Sequence, residues 1–222
     1  MLKLPFILSA LCAGLILLAY SPKAYAIDCG FMPPDIAVKT LRMPTEYVRN
    51  FTSAGLTQIH TGAYRPGSPS VLGLGGGPMS IDLDISFEGK SEGSVSCLRI
   101  RQIVANFIIH PSVLIARNYK SGSCEFNAVL AHEKKHIDAF LRFQSEYAPK
   151  LKNHIHRAAR EFGRPKALAN VNQNFMQREM HNSISASVSE YMSHMQTVIA
   201  KRQLKIDTPE EYARVAGQCS NW

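Results

Sequence analysis

Hydrophobic residues recur at two different spacings along this chain, and the change between them divides it into two parts. Between residues 81 and 87, apolar residues alternate with aspartate and serine, which predicts a strand with one buried face. Residues 88–93 predict a turn, a second strand begins at Val95, and residues 104–116 are rich in branched side chains. Pro111 lies inside that last run and predicts an edge position or a bulge, because proline cannot donate to a strand ladder.

The second half of the chain has the spacing of amphipathic helices. Ser123 is a candidate N-cap for the first of them, and Pro149 predicts a break or a new helix start. Gly163 then predicts the end of a helix, and another helix is predicted from about residue 168 to 203. The segment Thr208–Glu211 combines a capping box with proline at the first helical position, which predicts a short closing helix.

Proline and glycine interrupt the segment before the first predicted strand. Its glycine run, residues 73–77, lacks the spacing of a phosphate-binding loop, so a flexible loop is predicted there. The order of the patterns predicts an α+β fold. A small antiparallel sheet comes from a β-rich part, residues 27–117, and a helical layer comes from residues 123–222.

The first residues have the pattern of a secretory signal peptide. A positively charged start is followed by an apolar run, residues 4–20, and by the small-x-small sequence Ala24-Tyr25-Ala26. We therefore predict a signal peptide over residues 1–26 and a single mature domain over residues 27–222, located in the periplasm or outside the cell. An uncleaved N-terminal anchor is the alternative. No later stretch has the length and hydropathy of a transmembrane helix.

The chain carries a net charge of +8, but its basic residues are scattered along the sequence. Because neither a basic stripe nor a nucleic-acid-binding motif is present, no nucleic-acid partner is predicted. The positive charge instead favours an anionic envelope surface as a partner.

Four cysteines remain after the predicted cleavage, and an even number in an exported protein predicts two disulfides. Their spacing contains no CxxC pair, so a cysteine zinc site is not favoured. Three pairings are possible. The preferred one joins Cys97 to Cys124, which would tie a strand to the start of a helix, and Cys29 to Cys219, which would tie the two ends of the mature chain.

The clearest chemical signal is the HExxH sequence from His132 to His136, inside the first predicted helix. Residues four apart lie on the same helix face, so both imidazoles can reach one metal ion at about 2.0–2.1 Å. Glu133 then lies beside the metal, where it can deprotonate a water that the metal activates and pass the proton to a leaving amine. The alternative, a solvent-exposed pair of histidines, is disfavoured by the apolar neighbour Ile137. The motif therefore predicts a catalytic Zn²⁺ site.

The stretch from Ala128 to Phe140 resembles the active-site helix of zincin metallopeptidases. More narrowly, the order of features resembles a bacterial family of secreted zinc proteases of unknown function. These features are a strand with a cysteine, a strand with a proline, HExxH and a long helical tail. The resemblance covers residues 81–203, and HExxH is its one specific motif. Lys135 replaces the glycine of the narrower family. Ala139 and Arg142 replace the glycine and third histidine of the metzincin extension, which excludes an astacin-like or matrixin-like assignment.

The resemblance implies a third zinc ligand, which zincins of the glutamate type take from a later helix. Glu190 is the first choice and His194 is its competitor, with Glu179 and His181 as further options. The resemblance also implies that the strand before the active-site helix, residues 104–116, binds an extended substrate by main-chain pairing.

Together these observations predict a secreted zinc-dependent peptidase that hydrolyses a peptide or protein substrate. His132, His136 and Glu190 hold the Zn²⁺, and Glu133 is the general base. Tyr191 is either a hydrogen-bond donor to the developing oxyanion or a core aromatic. The rival is a non-catalytic, envelope-associated helical binding module in which HExxH is coincidental or holds a structural metal. An open metal site beside a groove favours the peptidase, and a closed four-ligand site favours the rival.

Overall fold

The protein has an α+β fold in the computed structural model, which describes residues 29–30, 32–62, 70–169 and 172–222. The predicted signal peptide lies outside these residues. None of the four helices in the described part combines the length and the hydropathy needed to cross a membrane. In chain order the elements are β1 (Asp35–Arg42), β2 (Glu46–Val48), α1 (Ser53–Thr61), β3 (Gly73–Gly76), β4 (Met79–Glu92), β5 (Val95–Ile109), β6 (Ser112–Ile115), α2 (Cys124–Phe162), β7 (Lys166–Ala169), α3 (Gln173–Gln203) and α4 (Pro209–Ala216).

The strands form two small mixed sheets, so the prediction of an antiparallel sheet is only partly correct. In the first sheet, of order β1-β5-β4, β4 and β5 form a long antiparallel hairpin, β1 runs parallel to β5, and β7 pairs with the start of β5. The second sheet has the order β2-β6-β3, with β2 parallel and β3 antiparallel to β6. An alternating pattern specifies which face of a strand is buried, but it carries no information on strand direction.

The predicted alternation is confirmed in β4. Ile81, Leu83 and Ile85 pack against the core, while the aspartates between them are exposed. The turn is shorter than predicted, because β4 continues to Glu92 and the chain reverses at Gly93. Gly93 has a φ of 57°, which glycine adopts without the steric penalty of other residues.

The structure corrects two predictions about the segments around the second sheet. Pro111 does not form an edge or a bulge within one strand. It separates β5 from β6, which is the central strand of the second sheet. The glycine run predicted to be a flexible loop forms β3, because it pairs with β6 and packs across α2.

The long helix α2 continues through Pro149, so the predicted break there is wrong. Pro149 is exposed, while Tyr147 and Leu151 on either side are buried in the core. Burying such side chains contributes roughly 1.5–3 kcal/mol each, which offsets the roughly 3 kcal/mol that proline costs inside a helix.

The predicted N-caps of two helices are confirmed. Ser123 accepts a hydrogen bond from the N–H of Phe126 at the start of α2, and Thr208 accepts one from the N–H of Glu211 at the start of α4. The helix predicted from about residue 168 begins later, at Gln173, because the preceding residues form β7.

The main core lies between the first sheet and the helices α2 and α3. Its largest fully buried side chains include Phe107 of β5 and Phe143 of α2. A smaller cluster, formed by Val113, Val129 and Ile137 with Ile115, joins the second sheet to the first half of α2. The HExxH residues lie in that half of the helix, next to the smaller cluster.

The four cysteines form two disulfides, as predicted, but the predicted pairing is wrong. The observed disulfides are Cys29–Cys97 and Cys124–Cys219, not Cys97–Cys124 and Cys29–Cys219. The parallel register of β1 on β5 leads the chain before β1 back toward Cys97. Cys219 follows α4, which packs on α2, and it therefore meets the cysteine at the start of α2.

Candidate metal centre

His132 and His136 lie on a face of α2 that is covered by other elements. They are buried, with 6% and 5% of their surface exposed, and their rings meet edge to face with centroids 4.9 Å apart. This burial rules out a solvent-exposed pair of histidines. Both side chains are held where their Nε2 atoms point to a common space.

A carboxylate from outside the helix joins the two imidazoles. Oδ1 of Asp207, between α3 and α4, lies 3.0 Å from Nε2 of His132 and 3.0 Å from Nε2 of His136, and the two Nε2 atoms are 3.2 Å apart. Ligand atoms of a tetrahedral site with bonds of about 2.0–2.1 Å lie about 3.3 Å from one another. The three atoms therefore have nearly the spacing of one face of such a site, and the three residues could hold a metal ion.

The second nitrogen of each imidazole has an acceptor of its own. Nδ1 of His132 lies 3.1 Å from Oε1 of Glu211, and Nδ1 of His136 lies 2.5 Å from Oε1 of Gln203. A neutral histidine has one N–H, so donation from Nδ1 leaves the Nε2 lone pair aimed at Asp207. Three acceptor atoms at this spacing need a positive charge between them, either protons or a metal ion.

The charges of these three side chains are coupled. Hydrogen bonding to Asp207 raises the pKa of His132. Burial opposes a charge on His136, but its hydrogen bonds to Asp207 and Gln203 raise its pKa nonetheless. Burial also opposes ionisation of Asp207, yet hydrogen bonds from the two histidines hold the pKa of Asp207 well below its usual range. The carboxylate is therefore ionised and available as a ligand throughout the physiological pH range.

Metal affinity should fall as the pH is lowered. Because the pKa values of His132 and His136 are raised above about 6.5, protons occupy the histidines to a higher pH than usual, and an incoming ion must displace them. With two protons competing, we expect the affinity for Zn²⁺ to drop by up to about 100-fold per pH unit below the raised pKa values. Competition titrations with a chelator at about pH 8 and about pH 6 measure this. An affinity independent of pH would contradict the ligand assignment.

Glu133 is buried directly beside the three residues, with 4% of its surface exposed. Burial raises the pKa of Glu133 to about 7, although the charges of His132 and His136 and a hydrogen bond from the Gly75 N–H act in the opposite direction. A carboxyl group with a pKa near neutrality can both accept and return a proton at physiological pH.

The strand β3 approaches α2 so closely that no side chain fits at two of its glycines. A Cβ at Gly73 would lie 2.6 Å from Oε1 of Glu133, and a Cβ at Gly75 would lie 2.9 Å from Cβ of His136 and overlap the Glu133 carbonyl oxygen. The glycine run therefore brings a strand into contact with the glutamate of HExxH.

Gly75→Ala is expected to destabilise the fold by about 1–3 kcal/mol, because the added methyl forces β3 away from α2. Gly55→Ala is the matched control. Gly55 lies in α1, where alanine is a better helix former than glycine, and a Cβ there makes ordinary contacts of 3.5 Å or more with Phe51 and Thr52. Urea unfolding of both variants measures the difference, and equal stability of the two would contradict the close packing of β3.

The structure does not bring Glu190, the predicted third ligand, to the histidines. Gln203 near the end of α3 contacts His136, and Glu190 lies about 20 Å earlier along the helix axis, at 1.5 Å per residue. Its side chain is exposed. The three alternatives are exposed on the same helix and likewise lie outside the cluster: His194, Glu179 and His181. The carboxylate that does join the two histidines belongs to Asp207, after the end of α3.

Tyr191 also lies away from the centre. Its ring stacks on His154, in the second half of α2, with centroids 4.4 Å apart. A different tyrosine, Tyr212 of α4, has its ring 5.9 Å from that of His132. Partial burial and the Asp207 carboxylate raise the pKa of Tyr212 to about 12, so its hydroxyl stays protonated and can donate a hydrogen bond.

Residues 104–116 do not offer the strand edge that the resemblance implied. They include the last six residues of β5 and all of β6, and each of these strands has a neighbour on both edges. The strand with an unpaired edge beside Glu133 is β3, which in the described part of the chain pairs with β6 alone. Among the described residues, the open strand edge beside Glu133 therefore lies at the glycine run.

Sequence reasoning missed most of the surroundings of the two histidines. Asp207, Gln203 and Tyr212 stand in no recognisable motif. Glu211 does carry a local signal, as the glutamate of a capping box, which predicts a bond from the N-cap backbone N–H to its carboxylate. In the structure the carboxylate accepts hydrogen bonds from the side chains of His132, Lys135 and Arg214. The one sequence signal for Asp207 is its position directly before that capping box.

A cavity of about 740 Å³ opens beside the cluster. It extends between β3, α2 and α4, and His132, Glu133, His136 and Asp207 all line it. The volume is within the range of about 300–1,000 Å³ that is usual for small-molecule sites. The three candidate ligands can therefore be reached from the cavity.

Comparisons with protein-family models, with curated proteins and with solved structures give no match for this chain. The resemblance to zincins consequently rests on the residues of HExxH.

Proposed function

We propose that this protein is a zinc-dependent hydrolase that cleaves peptide bonds, with His132, His136 and Asp207 as zinc ligands and Glu133 as the general base. The observation that carries the proposal is the convergence of two Nε2 atoms and one carboxylate oxygen at 3.0–3.2 Å, beside a buried glutamate. Two imidazoles four residues apart on a helix, with a carboxylate from a later segment, form a ligand set that suits Zn²⁺.

Zinc suits this ligand set better than calcium or magnesium does. Both of those ions prefer oxygen ligands, whereas imidazole nitrogen is a common ligand of zinc. Three protein ligands leave one coordination position open, as in catalytic zinc sites, whereas structural zinc sites are usually closed by four. The cavity beside the cluster supports the same conclusion. Both observations favour an enzyme over a helical binding module with a structural metal.

Each residue of the centre has a role in peptide hydrolysis. A zinc ion held by His132, His136 and Asp207 would serve as a Lewis acid, which would make a water easier to deprotonate and the scissile carbonyl easier to attack. Glu133 accepts the proton of the attacking water and returns it to the leaving amine, for which a pKa of about 7 is well suited. Tyr212 donates a hydrogen bond to the carbonyl oxygen as negative charge develops on it. Glu211 and Gln203 keep the two imidazoles in orientation.

An extended peptide is the substrate that the surroundings of the centre favour. Main-chain pairing along the open edge of β3 would carry a peptide backbone past Glu133. Three of the four residues of β3 are glycines, which supports this role because Leu74 has the one side chain on that strand.

The two disulfides favour an oxidising compartment, because cytosolic thiols are kept reduced. Together with the predicted signal peptide, they support the proposal that the protein acts in the periplasm or outside the cell. Its positive charge suits an anionic envelope surface there.

The proposed function is tested by zinc content and by cleavage of unfolded casein. The parent and Glu133→Gln are expected to bind one zinc each, because Glu133 is not a ligand, whereas His136→Ala should bind none. Cleavage should fall at least about 100-fold in Glu133→Gln, since general-base catalysis contributes roughly 10²–10⁴-fold. Lys134→Gln, an exposed change on the same turn, is the matched control and should retain both properties. Undiminished cleavage by Glu133→Gln would contradict the proposal.

A further inference from the structure

The cavity beside the metal centre has two chemically different parts. Among the described residues that line it, the acidic side chains are Glu133 and Asp207, and both belong to the metal centre. Apolar and aromatic residues form most of the rest of the lining, and six of them are here called the apolar wall: Leu72, Leu74, Tyr119, Val129, Val215 and Trp222. No lysine or arginine is among the described residues that line the cavity. A charged group placed against these six side chains would lose its hydration without gaining a charged partner from them.

The apolar wall is fixed by contacts of its own. The indole N–H of Trp222 donates to the carbonyl of Ala216 at 2.7 Å, and the Trp222 ring meets the ring of Tyr119 edge to face, with centroids 5.9 Å apart. The Cys124–Cys219 disulfide holds the segment before Trp222 on α2. On the other side, Val129 is buried one helical turn before Glu133. A preformed wall of this kind binds a ligand without first having to be ordered.

We propose that the apolar wall is a specificity pocket for a large apolar side chain, aromatic or long aliphatic, on the residue next to the scissile peptide bond. The inference rests on the proposed function, since the metal centre defines where that bond lies. Val129 and Glu133 are four residues apart on one face of α2, so a group seated on the wall lies directly beside the reacting centre. The cavity has room for such a side chain together with the backbone on both sides of it.

Two hydroxamates test this without requiring turnover. Both carry the same zinc-binding group and the same backbone, and they differ in one side chain, which is benzyl in one and carboxymethyl in the other. Their affinities are measured by calorimetry on the zinc-loaded protein. We expect the benzyl compound to bind at least about 10-fold more tightly, because an apolar pocket gains from each buried carbon and rejects an unpaired charge.

Two matched truncations of aromatic side chains test whether the preference for the benzyl compound comes from the apolar wall. Trp222→Ala should reduce the preference for benzyl by at least about 5-fold, because it removes the largest side chain of the apolar wall. Phe175→Ala removes a similarly exposed aromatic side chain on α3, which is not among the lining residues of the cavity, and should leave the preference unchanged.

The outcomes separate the pocket from the metal centre. A preference for benzyl that is reduced in Trp222→Ala and kept in Phe175→Ala supports the pocket. Equal binding of the two hydroxamates, or a preference that Trp222→Ala leaves intact, overturns the pocket while the metal centre stands. If neither compound binds and no zinc is retained, the metal centre fails, and the pocket fails with it.

Discussion

Asp207→Ala is expected to weaken zinc binding by more than about 100-fold, which corresponds to about 2.7 kcal/mol. The variant removes one of the three proposed ligands, and loss of even a residue that only hydrogen-bonds to a zinc ligand usually lowers zinc affinity by about 10–100-fold. It also removes the negative charge that lies 3.0 Å from both Nε2 atoms. Because 22% of the Asp207 side chain is exposed, the change should leave the folded structure intact. Chelator competition measures the affinity, and circular dichroism checks the fold.

Glu190→Ala is the control for this experiment. It removes the same negative charge from an exposed position on α3, about 20 Å along the helix from the residue that contacts His136. Zinc affinity in this variant should equal that of the parent. Loss of zinc in Glu190→Ala, with zinc kept in Asp207→Ala, would reverse the ligand assignment.

Removing the Cys124–Cys219 disulfide is expected to lower zinc affinity by about 10–100-fold, although neither cysteine is a ligand. The helix α4 has eight residues and one buried side chain, Val215, so it is too short to be stable by itself. It is held on α2 by the disulfide and by the contacts of Glu211 with His132 and Lys135. Without the disulfide, the segment that carries Asp207 and Glu211 must be ordered each time zinc binds.

The second disulfide provides a matched control for the first. The Cys29–Cys97 and Cys124–Cys219 disulfides join residues 68 and 95 positions apart, so each should stabilise the fold by a similar amount, between about 4 and 5 kcal/mol on chain-entropy grounds. Cys29→Ser/Cys97→Ser should therefore lower stability as much as Cys124→Ser/Cys219→Ser does, but leave zinc affinity unchanged. Affinities are compared at a temperature where both variants are folded. Equal zinc affinity in the two variants would contradict the coupling between α4 and the metal centre.

Local patterns in the sequence were sufficient for the features that depend on nearby residues. The alternation of Ile81, Leu83 and Ile85 predicted the exposed and buried faces of β4, and Ser123 predicted the start of α2. The four-residue spacing of His132 and His136 predicted that they share a helix face. Each of these features is decided within one element, by the period of a strand or a helix.

The remaining errors concern contacts between distant parts of the chain. Asp207 became the candidate ligand because α4 docks on α2, and no spacing along the chain shows that docking. The glycine run forms an ordered strand because α2 lies against it, which its composition does not show. Pro149 stays inside a helix because the burial of its neighbours offsets the missing hydrogen bond. The cysteine pairing likewise follows from the packing of β1 and α4, not from sequence spacing.

The central claim is that His132, His136 and Asp207 hold one zinc ion. Anomalous diffraction at the zinc absorption edge, on crystals of the zinc-loaded protein, tests it most directly. The account predicts a single peak about 2.0–2.1 Å from Nε2 of both histidines and from an Asp207 carboxylate oxygen, with the fourth position filled by solvent and open to the cavity. A peak bound by Glu190, a site closed by four protein ligands, or no peak at saturating zinc would contradict it.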